Sequence, residues 1–242
     1  MVLAFDIGNT RTKVAAYQDG RRIWTDIIEP PGDLVSCLYN HPDADIIFCT
    51  TSVLTDADRD ALRLRGALEL THRTTLPFQN RYQTPHTLGR DRMAAVAGAQ
   101  SEFPGRAVLV IDAGTCITYE FLDAEGTYLG GNISPGLRMR ARAMHRQTAK
   151  LPEARIEFRE NFIGGNTNEA LANGVVRGVL LEIEGTIDRF LRDFGDGAIV
   201  LTGGDSDFLK IHLRKTIFAR PKLVLDGLYA IWQHRQSTSN KN

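Results

Sequence analysis

Two stretches of the chain carry the same chemistry-bearing residues in the same order. VLAFDIGNTRTKVAAYQDG, from Val2 to Gly20, returns 106 positions later as VLVIDAGTCITYEFLDAEG, from Val108 to Gly126. Asp6 meets Asp112, Gly8 meets Gly114, Thr12 meets Thr118 and Gly20 meets Gly126. In each copy an apolar run ends on Asp, a glycine turn follows, and a second strand leaves it. Glycine lets the backbone come close to a ligand. After it, Asn9, Thr10, Arg11 and Thr12 offer backbone N–H groups and short side-chain donors, a set that cradles phosphate oxygens. The Asp cannot touch phosphate without repulsion, but it can hold a cation, or a water on that cation, which bridges to the phosphates. Two such turns facing each other would clamp one polyphosphate from both sides. The alternative is a structural duplication with no ligand.

The flanking residues show what positions these turns. Residues 2–6, 12–17 and 22–28 read as a three-strand meander, with Asp19-Gly20 as a hairpin turn. A short helix over 32–39, a buried strand over 45–50 and a helix over 56–64 capped by Asp56 follow. Residues 71–89 form a long irregular stretch, of a length that is more often functional than filler. An alanine-rich helix covers 92–100. The second half repeats the plan, with strands 108–112, 118–122 and 128–133 and a helix over 135–149 carrying Pro135 in its first turn. A long helix over 167–194, a strand over 198–202 ended by Gly203-Gly204, and a helix over 223–233 complete it. The tail, 236–242, reads as frayed. Pro104-Gly105 marks the boundary between two domains, 1–105 and 106–242. The expectation is an α/β fold: a duplicated unit with mixed sheets and a cleft between the halves.

Composition narrows the function classes. The 242 residues hold 29 Lys plus Arg against 29 Asp plus Glu, so no general nucleic-acid or anionic-membrane surface is expected. No apolar run approaches the roughly 18 residues of a membrane span. Asp6 interrupts the first apolar stretch and no basic region precedes it, which argues against a signal peptide. Cys37, Cys49 and Cys116 are far apart and form no CxxC, so reduced thiols in a cytoplasmic protein are expected.

The pair FDIGNTRTKVAAY and VIDAGTCITYEF resembles the two phosphate turns of the acetate/sugar kinase, heat-shock chaperone and actin superfamily. Four further stretches, RYQTPHTLGRDR, GGNISPG, IGGNTNEALANG and LTGGD, resemble one family within it, the type III pantothenate kinases, in order and spacing across nearly the whole chain. The resemblance implies duplicated ribonuclease H-like (actin-like ATPase) domains. The implied reaction is ATP-dependent phosphorylation of pantothenate to 4'-phosphopantothenate, the first step toward coenzyme A, in a homodimer whose pocket forms between chains. A kinase of the same architecture acting on another small hydroxy acid or sugar, and a non-catalytic nucleotide-dependent regulator, stand as alternatives.

By that resemblance Asp91 is the general base that takes the alcohol proton, and Tyr82, Gly89, Arg90, Asp91, Arg92 and Thr167 line the pantothenate site. Asp6, Ile7, Gly8, Asn9, Thr10, Arg11, Thr12, Lys13 and Thr115 meet ATP. Asp6 organises Mg2+ through water, and Asp112 holds a monovalent cation, K+ or NH4+. Read alone, several of these residues have plainer roles. Asp91 suits a helix N-terminus, and Arg90 and Arg92 suit surface ion pairs. Tyr82 suits ordinary packing, and Thr167 can share a helix cap that Asn166 forms with Glu169. Lys13 either reaches a phosphate or lies solvated. Cys116 and Glu120 depart from the family's usual Ala and Asp. Gly174, Gly178 and Gly185 interrupt the long helix, where close approach of another backbone, for instance at a dimer interface, would explain them. The basic run at 137–147 reads as a solvated helix face.

Overall fold

The apolar run that begins the chain forms the central strand of the first sheet. The structure, a computed structural model, describes residues 1–8, 11–28 and 33–239. In chain order the elements are β1 (Val2–Ile7), β2 (Thr12–Gln18), β3 (Arg21–Ile28), α1 (Asp33–Asn40), β4 (Asp45–Thr50), α2 (Asp56–Leu64), β5 (Leu68–Glu69), β6 (Gln79–Asn80) and α3 (Arg90–Glu102). They continue with β7 (Val108–Ala113), β8 (Cys116–Leu122), β9 (Thr127–Pro135), α4 (Leu137–Gln147), α5 (Thr167–Phe194), β10 (Ala198–Thr202), α6 (Ser206–Lys210), β11 (Phe218–Ala219) and α7 (Leu223–Ser239). The chain divides into two compact units. One holds Met1–Gly105, Ala124–Leu129 and the chain from Lys222 onward; the other holds Arg106–Asp123 and Gly130–Pro221.

In the first unit the sheet runs β3-β2-β1-β4-β5. β1 pairs antiparallel with β2 and parallel with β4. Leu3, Phe5 and Ile7 of β1 pack with Val14, Ile46 and Phe48 in one buried cluster. Asp19 and Gly20 both take positive φ, the conformation a two-residue hairpin turn demands. α7 packs in this unit on α3, where Gly98 and Gly227 let the two backbones meet: a Cβ on Gly227 would lie 1.7 Å from the Ala94 carbonyl oxygen. In the second unit β7 lies between β10, parallel, and β8, antiparallel. The helix α5 buries Val176, Val179, Ile183, Ile187 and Phe190 in that unit's core.

Several local expectations need correction. Thr55, not Asp56, caps α2: its hydroxyl accepts the Asp58 N–H at 3.1 Å from an extended backbone. α3 begins at Arg90, two residues earlier than its alanine run indicates, so Asp91 lies in its first turn. Pro135 ends β9 rather than opening α4. Gly136 is the N-cap and the helix starts at Leu137. The 71–89 stretch is not wholly irregular, since it holds β6 and a 3-10 turn at Pro85–Thr87. The closing helix runs to Ser239, past the expected end at 233. Gly32, at the expected start of α1, lies outside the described residues. Among the described residues, nothing beyond the helix's own backbone lies within 4 Å of a Cβ placed on Gly174 or Gly185, so close packing there does not explain them. The basic run is mixed: Arg138 is solvated, while Arg140 turns inward to Glu182.

Candidate active site

Strand pairing brings the residues of the first turn together. Asp6, next to last in β1, lies opposite Lys13 of β2 and Cys49 of β4. Lys13 Nζ lies 3.5 Å from Asp6 Oδ2, and the Cys49 thiol points to Asp6 Oδ1 at 3.7 Å. Burial raises the Asp6 carboxyl above its usual range. The Lys13 charge opposes that rise, the Asp91 charge adds to it, and the Cys49 thiol opposes it. Asp6 and Asp91 therefore share one electrostatic neighbourhood. Gly8 closes its turn by donating to the Arg11 carbonyl at 3.3 Å. Ile7 points into the core and its carbonyl accepts the Thr51 N–H at 3.0 Å, so Ile7 frames the turn. Arg11 is exposed and Thr12 half-buried. Asn9 and Thr10 lie outside the described residues.

Asp91 is half-buried at the start of α3, and its Oδ1 accepts the Arg92 N–H at 2.9 Å. A Cβ on Gly89 would lie 2.6 Å from that Oδ1, so glycine at the N-cap leaves the carboxylate its place. Arg90 is engaged in structure, with a hydrogen bond to the Thr50 carbonyl at 3.3 Å and a contact with Glu69 at 3.7 Å. Arg92 is not a surface residue. It is 7% exposed, donates to the Tyr128 hydroxyl at 3.1 Å and lies over the Tyr82 ring, 5.6 Å from its centroid. Tyr82 and Tyr128 stack at 6.1 Å. Tyr128 and Cys49 are absent from the sequence-based set. Each is an ordinary strand residue whose role arises from a neighbour distant in sequence, so only the tyrosine's place after the Gly126 turn hinted at it.

The second turn resembles the first but is not its copy in detail. Four residues separate the paired Ile7 and Thr12, and three separate Ala113 and Ile117. That one-residue difference puts Thr118 opposite Asp112, whereas Asp6 faces Lys13. Two glycines crowd this turn. A Cβ on Gly203 would lie 2.5 Å from Asp112 Oδ1 and 2.4 Å from the Ala113 carbonyl oxygen, and Gly203 takes φ +95°. A Cβ on Gly136 would lie 2.3 Å from the Gly114 carbonyl oxygen. Thr115 is exposed at the turn, Cys116 is half-buried, and Glu120 is buried in β8. Thr167 is exposed as the first residue of α5, and Asn166 caps that helix through the Glu169 N–H at 3.1 Å, as its spacing predicts. A cavity of about 290 Å³ in this unit is lined by residues 157–161 with Glu169 and Asn173, and by none of the sequence-predicted site residues.

Among the described residues no three His, Cys, Asp or Glu side chains converge as a metal site, and no helix is long and apolar enough to cross a membrane. The model of the type III pantothenate kinase family matches residues 2–189. A type III pantothenate kinase of Flavobacterium johnsoniae is 39% identical over 243 residues, covering 97% of this chain and 98% of the relative. A Campylobacter jejuni protein described as a Baf family transcriptional activator superposes with TM-score 0.64 at 20% identity, covering 98% of this chain and all of that one. The activator of 2-hydroxyisocaproyl-CoA dehydratase from Clostridium difficile, with bound ADPNP, superposes with TM-score 0.55 at 13% identity, covering 99% and 97%. These two likenesses establish the fold, an α/β architecture with mixed sheets. The family match and the full-length identity establish more: the chain belongs to the type III pantothenate kinases, enzymes that use ATP to phosphorylate pantothenate on the way to coenzyme A.

Proposed function

We propose that Asp91 is the general base of this transfer. The observation that carries the reading is that the Asp91 charge reaches the buried Asp6 carboxyl where β1 enters the first turn and helps to raise it. The pantothenate hydroxyl gives its proton to the Asp91 carboxylate as its oxygen attacks the γ-phosphorus in line. ADP leaves, and 4'-phosphopantothenate forms. Because phosphoryl transfer passes through a loose transition state, aiming the alcohol contributes more than base strength. The Arg92 N–H and the space at Gly89 keep the carboxylate aimed. In this reading Tyr82, Gly89, Arg92 and Thr167 contact pantothenate, and Arg90 ties its own segment to β4. Gly8, Arg11, Thr12, Lys13 and Thr115 contact ATP.

The donor sets suit the two cations. Asp6, with Lys13 Nζ 3.5 Å from its Oδ2, is a carboxylate suited to Mg2+ held through water. Asp112, beside the Ala113 carbonyl at the Gly203 turn, offers the oxygen donors a monovalent cation takes, K+ or NH4+. When bound, these ions neutralise phosphate charge. The protein acts in the cytoplasm as a homodimer in this reading.

Replacement of Asp91 by Asn tests the assignment. Pantothenate-dependent ADP release, measured in potassium and in sodium buffers, is expected to fall about 10²–10⁴-fold while ATP still binds. Turnover equal to that of the native enzyme removes Asp91 from the mechanism.

A further inference from the structure

Behind the second turn, four polar side chains converge that the reaction does not itself require. Glu182 of α5 accepts the Tyr119 hydroxyl at 2.7 Å on Oε1 and the Ser134 hydroxyl at 3.0 Å on Oε2. Arg140 of α4 pairs with the same Oε2, donates to Ser134 Oγ at 2.7 Å, and donates through Nε to the Pro135 carbonyl at 2.8 Å. Arg140 and Glu182 side chains are 23% and 30% exposed, so the pair is substantially screened from water. Burial works against ionised Glu182, but donors from Tyr119, Arg140 and Ser134 together hold the carboxyl below its usual range.

Three of these five bonds end on Ser134 or Pro135, in the corner 134–136. That corner is the floor of the turn: the Gly136 N–H donates to the Thr115 carbonyl at 3.1 Å, and no Cβ fits between Gly136 and the Gly114 and Thr115 carbonyl oxygens. The charge-assisted bond to Glu182 fixes position more sharply than a neutral contact, and the same guanidinium also holds Ser134 and Pro135. We propose that Glu182 is a positioning residue for nucleotide: with Arg140 it sets the height of the Ser134–Gly136 floor, and so the place where the Gly114–Cys116 turn meets phosphate. The proposal rests on the reading that this turn holds ATP.

The test is steady-state kinetics of the full chain with ATP and pantothenate varied separately, beside thermal melting. Glu182→Gln removes the charge and keeps the shape; Arg140→Lys keeps the charge and loses the fork. Each is expected to raise the ATP KM about tenfold and leave the pantothenate KM within about twofold, the signature of a displaced nucleotide contact. The double variant is expected to be little worse than either single one, since both act on one corner. Ile187→Val, on the same helix but in the apolar core, supplies the comparison: it lowers Tm with the ATP KM unchanged. An ATP KM unchanged in Glu182→Gln, with only Tm lowered, overturns the proposal. Should either charged-pair variant fail to fold, Tyr119→Phe removes a single hydroxyl, and a native ATP KM there overturns it equally. Loss of the ATP dependence in the native enzyme is a different result, one that refutes the nucleotide reading itself.

Discussion

Arg92 shows how a single residue changes meaning once its surroundings are known. In the string LGRDR it stands as a cation free to meet a substrate carboxylate or a surface acid. In the fold it is buried, with its guanidinium over the Tyr82 ring and bonded to Tyr128. Lysine keeps the charge but cannot span both contacts in a planar fork. Arg92→Lys is therefore expected to raise the pantothenate KM about tenfold with the ATP KM unchanged, read from initial rates. An unchanged pantothenate KM would reduce Arg92 to packing. Glu182 supports a second prediction at this scale. Its carboxyl is depressed below the ordinary 4.5, so its stabilisation is fully present above that value and is lost as pH falls through the lower folded value. The Tm gap between the native chain and Glu182→Gln should hold above about pH 4.5 and narrow as pH falls below it. A gap that stays constant through that fall would show that ionisation contributes nothing. Asp91 was legible because its neighbours form a motif. Tyr128, Cys49 and Glu182 were not, because each acts through a side chain that only folding brings near.

Elements follow the same logic with different signals. Strands β1, β4, β7 and β10 announce themselves by apolar runs of four residues, buried throughout. The two-residue strands β5, β6 and β11 carry no such run. They exist because a neighbouring strand offers a free edge. Pro135 misled for a related reason, since its fixed φ suits the first turn of a helix and the end of a strand alike. The α3–α7 crossing was invisible in sequence, because the closeness of Gly98 and Gly227 is a property of two helices more than a hundred residues apart. It is also the element contact most sensitive to change. A Cβ on Gly227 meets Ala94 backbone at 1.7 Å, and one on Gly98 meets the Leu223 carbonyl oxygen at 2.6 Å. Neither obstacle is a side chain that can swing away. Gly227→Ala is expected to destabilise the fold by about 3 kcal/mol, at the upper end for overpacking. Because α3 carries Asp91, kcat should fall well below the melting temperature. Denaturant titration beside kinetics checks both; native stability would mean that the helices part without strain.

For the whole molecule, the duplication explains why one motif appears twice, and the unequal turn lengths explain why the copies need not do the same work. Asp6 faces Lys13, and Asp112 faces Thr118. What the duplication leaves unexplained is the outer face of α5. Gly174, Leu181 and Gly185 recur there at helical spacing, Leu181 is 60% exposed, and among the described residues nothing beyond the helix's own backbone approaches the two glycines. Propensity alone disfavours glycine in a helix by about 0.8–1.0 kcal/mol relative to alanine, so an isolated chain gains stability from Gly185→Ala. A second copy packed backbone to backbone on this face reverses that sign, because the added methyl separates the helices. Light scattering of the native enzyme is expected to give twice the chain mass. Leu181→Asp, which buries a charge against the partner, should give the single chain mass, and Gly185→Ala should weaken the dimer on dilution while raising the Tm of the separated chains. Should Leu181→Asp remain dimeric, the subunits meet elsewhere; should Gly185→Ala leave the dimer unweakened, the glycines answer to no close approach and the helix face is open to solvent in the assembled enzyme.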